Sequence, residues 1–599
     1  MRSPARVLNS LTKHSQTTEY RFERLYRILF NEEMYYLAYQ RIYAKPGNMT
    51  QGADGETIDR MSLPRIEKLI LSLKDESYSP QPSRRVHIPK KNGKTRPLGV
   101  PSFDDKLVQE VVRMVLEAIY EGHFEDTSHG FRPHRSCHTA LNAVQKTFTG
   151  KKWFIEGDIK GFFDNVNHDI LIDILKERIS DERFIRLIRK FLRAGYLEQW
   201  RFHGTYSGMP QGGIISPVLA NIYLDKLDKY MKEYATGFDR GNRVRACREY
   251  EALTYQKRLV MRELKTATNN VERKVLVKRL KEIDKTRSAM PCFDPMDGNF
   301  KRLKYVRYAD DFLIGIIVSK VKIKDDIKRF LADRLALELS DEKTLITHTE
   351  KPAKFLGYEV TVRRSNLQKR NKRGSLSRVY GNKVRLKVTT EVIKKKLLEL
   401  GVLKFSYHNG HEQWIPKHRS ELINNDDLEI LDSYNAEIRG FYNYYSIANN
   451  ASELNTFHYI MQYSMYKTFA GKYRTTVRRI CQKYKRNGVF TVGYTVKNGK
   501  AKERRLYNEG FKRKRPSYDR SIDRCPNPMP GVSTTSLIDR LKAQKCELCG
   551  ATDNLVMHHV RKLGELKGKE NWEKLMIARR RKTMAVCGSC HQKIHHGTF

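Results

Sequence analysis

The stretch YVRYADDFLIGI, Tyr305 to Ile316, decides how the rest of the chain is read. Its flanks are aromatic or β-branched, the composition of a buried strand pair. Its centre is two adjacent aspartates, Asp310 and Asp311. Burying a charge is costly unless something compensates it. A hairpin displaying two acids at an apolar tip therefore calls for solvent or a cation.

A third acid favours the cation. WFIEGDIKGFFDNV (Trp153–Val166) reads as a strand with Asp158 near its end and Gly161 opening a turn. Alone, an Asp there is most simply a turn or cap residue. With Asp310 and Asp311 it completes three carboxylates at the ends of neighbouring strands. Such a set can hold two Mg²⁺ ions about 3.5–4 Å apart. The pair can activate an attacking 3′-hydroxyl and stabilise a leaving pyrophosphate. Mg²⁺ suits this because it takes carboxylate oxygens together with substrate phosphates; Mn²⁺ can substitute.

The bulk numbers point the same way. The 599 residues suffice for several domains, and 25 Phe and 32 Tyr can fill sizeable cores. The net charge of +46 demands an anionic partner, and in a large soluble protein that is most often nucleic acid. No apolar run approaches the ~20 residues needed to span a bilayer, and MRSPARVLNSLTKHSQ at the N-terminus has no secretory core. Of nine cysteines, five are scattered and four form two C-x-x-C pairs, a metal-site spacing rather than a disulfide framework. The expected setting is the cytoplasm, with no membrane partner.

Along the chain, residues 20–45 have helical apolar spacing with basic residues between. Residues 84–101 read as strands around the turn KKNG, and 104–122 as an amphipathic helix. Residues 240–300, rich in Arg, Lys and Glu, read as basic helices inserted into one domain. Strands return at 303–318 and 344–362, with a helix near 324–338 between them; from about 390 to 485 the pattern is helical again. Residues 485–535 are basic and turn-rich.

Further blocks follow in register with the acids. KNGKTRPLGVPSFDDKLVQE (91–110), SHGFRPHRSCHTAL (128–141), EGDIKGFFDNVNH (156–168), YSGMPQGGIISPVLANIYLDKLD (206–228), YVRYADDF (305–312), LSDEKTLITH (339–348) and FLGYEV (355–360) resemble the successive blocks of group II intron reverse transcriptases. The resemblance is to the lactococcal type of mobile group II intron protein. It implies Asp158 and Asp310 as the main metal ligands, with Asp311 assisting. It places Phe163 under the incoming sugar, where a 2′-hydroxyl would clash, so deoxynucleoside triphosphates are the expected substrates. Read by composition alone, Phe162 and Phe163 are more simply core. Gln211, Gly212 and Gly213 would let backbone approach template and nucleotide. Lys90 and Arg96 would grip the triphosphate, and Lys343 would protonate or steady the pyrophosphate.

The family's helical thumb also binds its intron RNA. Here NAEIRGFYNYYSIANN (435–450) could stack aromatics on bases. Phe441, Tyr444, Tyr445 and Ala448 nevertheless share one helical face, so packing is the better reading. The basic helix near the N-terminus and the 240–300 insertion are the better candidates for phosphate contact.

CELC (546–549) and CGSC (587–590) supply Cys546, Cys549, Cys587 and Cys590, four thiolates suited to structural Zn²⁺. Between them lies MHHVRKL with His558 and His559; after them come His591 and His595, spaced i, i+4. This resembles the HNH endonucleases. The resemblance implies His558, His591 and His595 as ligands of a divalent ion and His559 as the general base. One departure stands out: HNH modules usually keep an asparagine shortly before the second cysteine pair, and here Thr583 lies nearby while the only asparagine between the histidine dyad and that pair is Asn571.

The expected fold is mixed α/β (α+β), a right-hand polymerase with a zinc-stapled ββα module. Its expected parts are an N-terminal basic extension (1–60), fingers and palm (61–365, insertion about 238–300), thumb (366–485), basic DNA-binding segment and linker (486–538) and HNH-like module (539–599). The expected function is threefold: copying intron RNA from a nicked DNA target, promoting splicing of that intron, and nicking the second target strand. Intron RNA and target DNA are the expected partners, in a bacterial cytoplasm beside the nucleoid. The alternative is a splicing cofactor whose C-terminal module only binds DNA.

Overall fold

The computed structural model describes residues 3–43, 47–89, 95–199, 201–294, 297–317, 321–363, 368–370, 376–378, 382–495, 501–519 and 537–597. Near the N-terminus, α1 (Glu32–Tyr43) buries Met34, Tyr35, Ala38, Tyr39 and Ile42, a stripe at three- and four-residue spacing. Much of the helix expected at 20–45 is therefore core, and Arg21, Arg24 and Arg27 before it are exposed. Strands β1 (Ser83–Pro89) and β2 (Thr95–Val100) pair antiparallel, Val86 opposite Leu98. Helix α2 (Phe103–Tyr120) is capped by Ser102, whose hydroxyl accepts from the Asp105 N–H. Helix α3 (Cys137–Thr147) follows.

The palm is built from β3 (Trp153–Asp158), α4 (Ser216–Phe238), β4 (Arg302–Tyr308), β5 (Asp311–Ile317) and β6 (Leu345–His348). Its sheet runs β4-β5-β3-β6, antiparallel throughout. The burial of β5 is nearly continuous, as its apolar run requires. Between α4 and β4 the insertion forms two helices, α5 (Arg248–Thr266) and α6 (Asn270–Ala289), with a small core of Val260, Leu276 and Ile283. Its base is closed by the Arg240–Lys301 bridge.

In the thumb, α7 (Asp427–Tyr445) and α8 (Leu454–Lys472) pack together. The region is not helical throughout. β7 (Leu403–His408) and β8 (His411–Pro416) form a hairpin. Its turn is Asn409–Gly410, both left-handed at φ +51 and +76, the residue pair that two-residue hairpins favour. The helical reading of 390–485 missed that pair. The sheet strands β9 (Val489–Thr495) and β10 (Ala501–Arg505) follow. Phe490, Val492, Leu506, Tyr507 and Phe511 are buried in the thumb core. The thumb limit expected at 485 therefore cuts through one packed unit.

At the C-terminal end, β11 (Leu555–His559) and β12 (Thr583–Cys587) form a hairpin against α9 (Gly588–His596). This module has a small core of its own. It also adds Leu537, Ile538, Leu541, Met557 and Ala585 to the core shared by fingers and palm.

Candidate active sites

The hairpin tip is a two-residue turn, Ala309–Asp310, closed by the Tyr308–Asp311 pair. Ala309 adopts φ +56, which costs a residue with a Cβ about 1 kcal/mol or more. The surroundings enforce it. Gly130 lies flat against Ala309, where an added Cβ would fall 2.3 Å from the Ala309 nitrogen. Behind the turn, Arg307 is 0% exposed. Its guanidinium donates to both oxygens of Asp228, at 2.8 and 2.5 Å, to Ser128 Oγ at 2.8 Å and to the Ala309 carbonyl at 2.9 Å. A buried ion pair inside such a network fixes the turn.

This frame brings the three predicted acids together. Asp158, last in β3, stands opposite Asp311 in the register. Burial, then the neighbouring Asp310 and Asp158, push the Asp311 carboxyl up to about 7. Burial raises Asp310 as well, with Asp158 adding to it and Arg96 opposing. The site is thus a cluster of oxygen donors short of positive charge, with Asp158 and Asp310 half-buried and Asp311 open to solvent. Lys343 answers part of that demand: its Nζ lies 2.8 Å from Asp158 Oδ2.

Gly161 is left-handed at φ +54 and opens the short helix Phe162–Asn165, so the expected turn is present. The two phenylalanines separate: Phe162 is 2% exposed, while Phe163 is half-buried. Phe163 lines a cleft of about 480 Å³ with Arg85, Tyr196, Met209 and Gln211. Gly212 has φ +117, and an added Cβ would come within 2.4 Å of the Gly99 carbonyl. The Gly99 N–H also donates to the Gln211 carbonyl at 2.7 Å. The close approach that Gly212 permits is thus to the chain's own β2, where nucleotide and template were expected. Arg96 lies exposed on β2, and Lys90 lies outside the described residues.

In the C-terminal module, one sulfur from each of Cys546, Cys549, Cys587 and Cys590 lies within 4.8 Å of the others. Burial pushes the Cys587 thiol up, but hydrogen bonds from Ser589 and the Cys590 backbone outweigh it and bring the thiol down to about 6. Four soft donors at this spacing fit a tetrahedral Zn²⁺ site.

The histidines divide between two environments. His558 packs against Trp572, His591 and His595. Its two ring nitrogens are buried and make no hydrogen bond, which is the state of an imidazole that fits a metal ion. Burial holds His558 and His559 down to about 4, so both rings are neutral. His559 Nδ1 faces the Met557 carbonyl at 3.0 Å and so carries the proton. Its Nε2 therefore accepts from the Tyr39 hydroxyl, 3.0 Å away. Thr583, near the position of the missing asparagine, pairs with His559 in the register and accepts from Arg540.

Three family models match successive parts of the chain. Reverse transcriptase (RNA-dependent DNA polymerase) covers residues 88–255, Type II intron maturase 382–515, and AI2M/AI1M-like, HNH endonuclease 546–591. The Group II intron-encoded protein LtrA of Lactococcus lactis subsp. cremoris is 44% identical over 606 residues, covering 100% of both chains. The chain belongs to the group II intron-encoded protein family. A putative COX1/OXI3 intron 1 protein of Saccharomyces cerevisiae is 34% identical over 96% of this chain and 69% of its own. This group II intron protein is accordingly multifunctional, with an RNA-directed DNA polymerase, a maturase and an HNH endonuclease domain in one chain. The maturase match extends to residue 515, past the last thumb-core residue, Phe511. Among the described residues no helix is long and apolar enough to cross a membrane.

Several residues of the group II intron protein's sites escaped sequence reasoning. Arg307 and Asp228 lie 79 residues apart, and Asp59 lies 500 residues from His559. An arginine at an inward position of an apolar strand was the one local signal for Arg307. Nothing local marks Asp59 or Tyr39.

Proposed function

We propose that the polymerase centre consists of Asp158, Asp310 and Asp311, that it copies intron RNA from the 3′-end of a nicked DNA target, and that the C-terminal module nicks the second strand. The observation that carries this is the cluster of three carboxylates on one hairpin and its neighbouring strand, two of them raised by burial and mutual repulsion. Oxygen donors of this kind fit Mg²⁺, with Mn²⁺ as a substitute. Bound there, two such ions would supply activation of the primer hydroxyl and neutralisation of the leaving pyrophosphate.

The chain's own groups do the rest. Asp158 and Asp310 act as the principal ligands and Asp311 assists. Lys343, already 2.8 Å from Asp158, is placed to hold a proton for the pyrophosphate. Arg96, whose charge reaches Asp310, orients the triphosphate. Phe163, half-buried at the cleft, excludes a 2′-hydroxyl. In the module, His558, His591 and His595 would hold a divalent ion and the four cysteines Zn²⁺ that stabilises the fold; His559 takes the proton from water at Nε2 once the Tyr39 hydroxyl, which occupies that nitrogen here, has moved away. Intron RNA, target DNA and deoxynucleoside triphosphates are the substrates, and the bacterial nucleoid is the place of action.

One incubation tests the whole reading. The protein, its intron RNA, Mg²⁺, deoxynucleotides and end-labelled DNA carrying the joined exons should yield a second-strand nick and extension from it. Extension of a supplied primer without any nick would reduce the module to a zinc-stapled DNA-binding element.

A further inference from the structure

Three imidazoles leave a divalent ion one position short of a tetrahedron, the position that catalytic sites keep open for water or substrate. In this protein the position is filled from outside the module. Asp59 Oδ2 lies 2.9 Å from His595 Nε2 and 3.1 Å from His591 Nε2, and its Oδ1 lies 3.6 Å from His558 Nδ1. One donor atom from each of the four residues lies within 4.8 Å of all the others. A second observation points to a ligand there. His558 is 3% exposed, and neither of its ring nitrogens has a hydrogen-bond partner. Leaving a buried polar group unpaired is costly, so the two bare nitrogens call for a partner.

The contact is built into the docking of the module. The His559 N–H donates to Asp59 Oδ1 at 2.8 Å, and the Met557 N–H to the Met61 carbonyl at 2.8 Å. Met61 and Met557 are both 0% exposed. Tyr39, from the same end of the chain, covers His559 Nε2.

We propose that Asp59 is a displaceable fourth ligand of the endonuclease's divalent-ion site, and that with Asp59 in place the site is closed to a DNA phosphate. The proposal rests on His558, His591 and His595 being the ligands within the module. A carboxylate and a phosphodiester are both anionic oxygen donors, so they compete for one position. Withdrawal of the Asp59 loop opens the position that the scissile phosphate needs.

The test uses the full chain with zinc kept at its four cysteines, titrated with Co²⁺. Four-coordinate Co²⁺ absorbs strongly in the visible and more highly coordinated Co²⁺ weakly; thiolate charge-transfer bands mark any exchange at the cysteines. Wild type should show the strong bands. Asp59→Ala, and the isosteric Asp59→Asn in case the first does not fold, should show shifted bands, with water or the amide oxygen in place of the carboxylate, and at least tenfold weaker affinity. The same variants should nick a DNA duplex severalfold faster with Mg²⁺. A wild-type Co²⁺ spectrum and affinity in both variants overturns the proposal. So does a loss of nicking as deep as that of His591→Ala, which would make Asp59 part of the chemistry. If His591→Ala keeps the wild-type spectrum, the histidine assignment itself fails and takes the proposal with it.

Discussion

Lys343 Nζ lies 2.8 Å from Oδ2 of Asp158, the acid that faces Asp311 across the palm sheet. The lysine holds a positive charge where three carboxylates demand one. Two roles follow from that position: balancing the acids and donating a proton to pyrophosphate. A positioned general acid is worth about 10²–10⁴-fold. Lys343→Ala is expected to slow single-nucleotide incorporation by about 10²-fold or more, with KM for the nucleotide changed much less. Rapid-quench kinetics decide it; a KM effect alone would leave Lys343 as a binding residue.

Arg307 and Asp228 carry the turn that presents the acids. Removing one partner of a buried pair strands the other charge, at a cost of about 3–5 kcal/mol. Arg307→Met is expected to lower stability in denaturant unfolding by that order. Arg307→Met combined with Asp228→Leu should recover part of it, because neither charge is then left alone.

His129 lies in the block that docks on the same hairpin, its N–H donating to the Arg307 carbonyl at 2.9 Å. Burial, then Arg135 and Arg132, hold its imidazole down to about 3 in the folded chain. Unfolded, it titrates near 6.5. Below pH ~6.5 the unfolded state gains a proton that the folded state refuses, so this contribution to stability is present above ~6.5 and is lost as pH falls toward about 3. The limiting slope is about 1.4 kcal/mol per pH unit. His129→Gln should flatten the acid limb of a stability-versus-pH curve; an unchanged limb would mean that His129 is charged in the fold.

Phe163 is half-buried at the cleft, while its neighbour Phe162 is core. Phe163→Ala is expected to lower the ratio of deoxynucleotide to ribonucleotide kcat/KM by about tenfold or more. One methylene's worth of steric exclusion is already about 10–200-fold. An unchanged ratio would assign Phe163 to packing.

The legible parts of this protein are those written in neighbouring residues. Tyr305–Ile316 could be read as a hairpin because its apolar flanks bracket two acids. His591 and His595 could be read on one helical face from their spacing, and the cysteine pairs from theirs. The packing reading of 435–450 rested likewise on one helical face, and Phe441, Tyr445 and Ala448 are buried. What could not be read is made by distant residues meeting. The Ala309 turn depends on Gly130 and on Asp228. Asp59 and Tyr39 reach His595 and His559 only through the docking of the module on the fingers. The β7–β8 hairpin was missed for a different reason. Its Asn409–Gly410 turn signal is two residues long and lies between stretches of helical periodicity.

The most direct measurement is primer extension on an RNA template by wild type, Asp158→Asn and Asp310→Asn, run beside a splicing assay with the intron RNA. Both variants should lose extension by at least about 10³-fold, the scale on which removing an essential catalytic group acts. Both should still promote splicing, because the Asp158 and Asp310 side chains lie outside the core that the thumb shares with Phe154, Val306 and Leu313 of the palm. Extension at the wild-type rate by either variant would contradict the assignment of the polymerase centre, and joint loss of splicing would contradict the separation of the two activities.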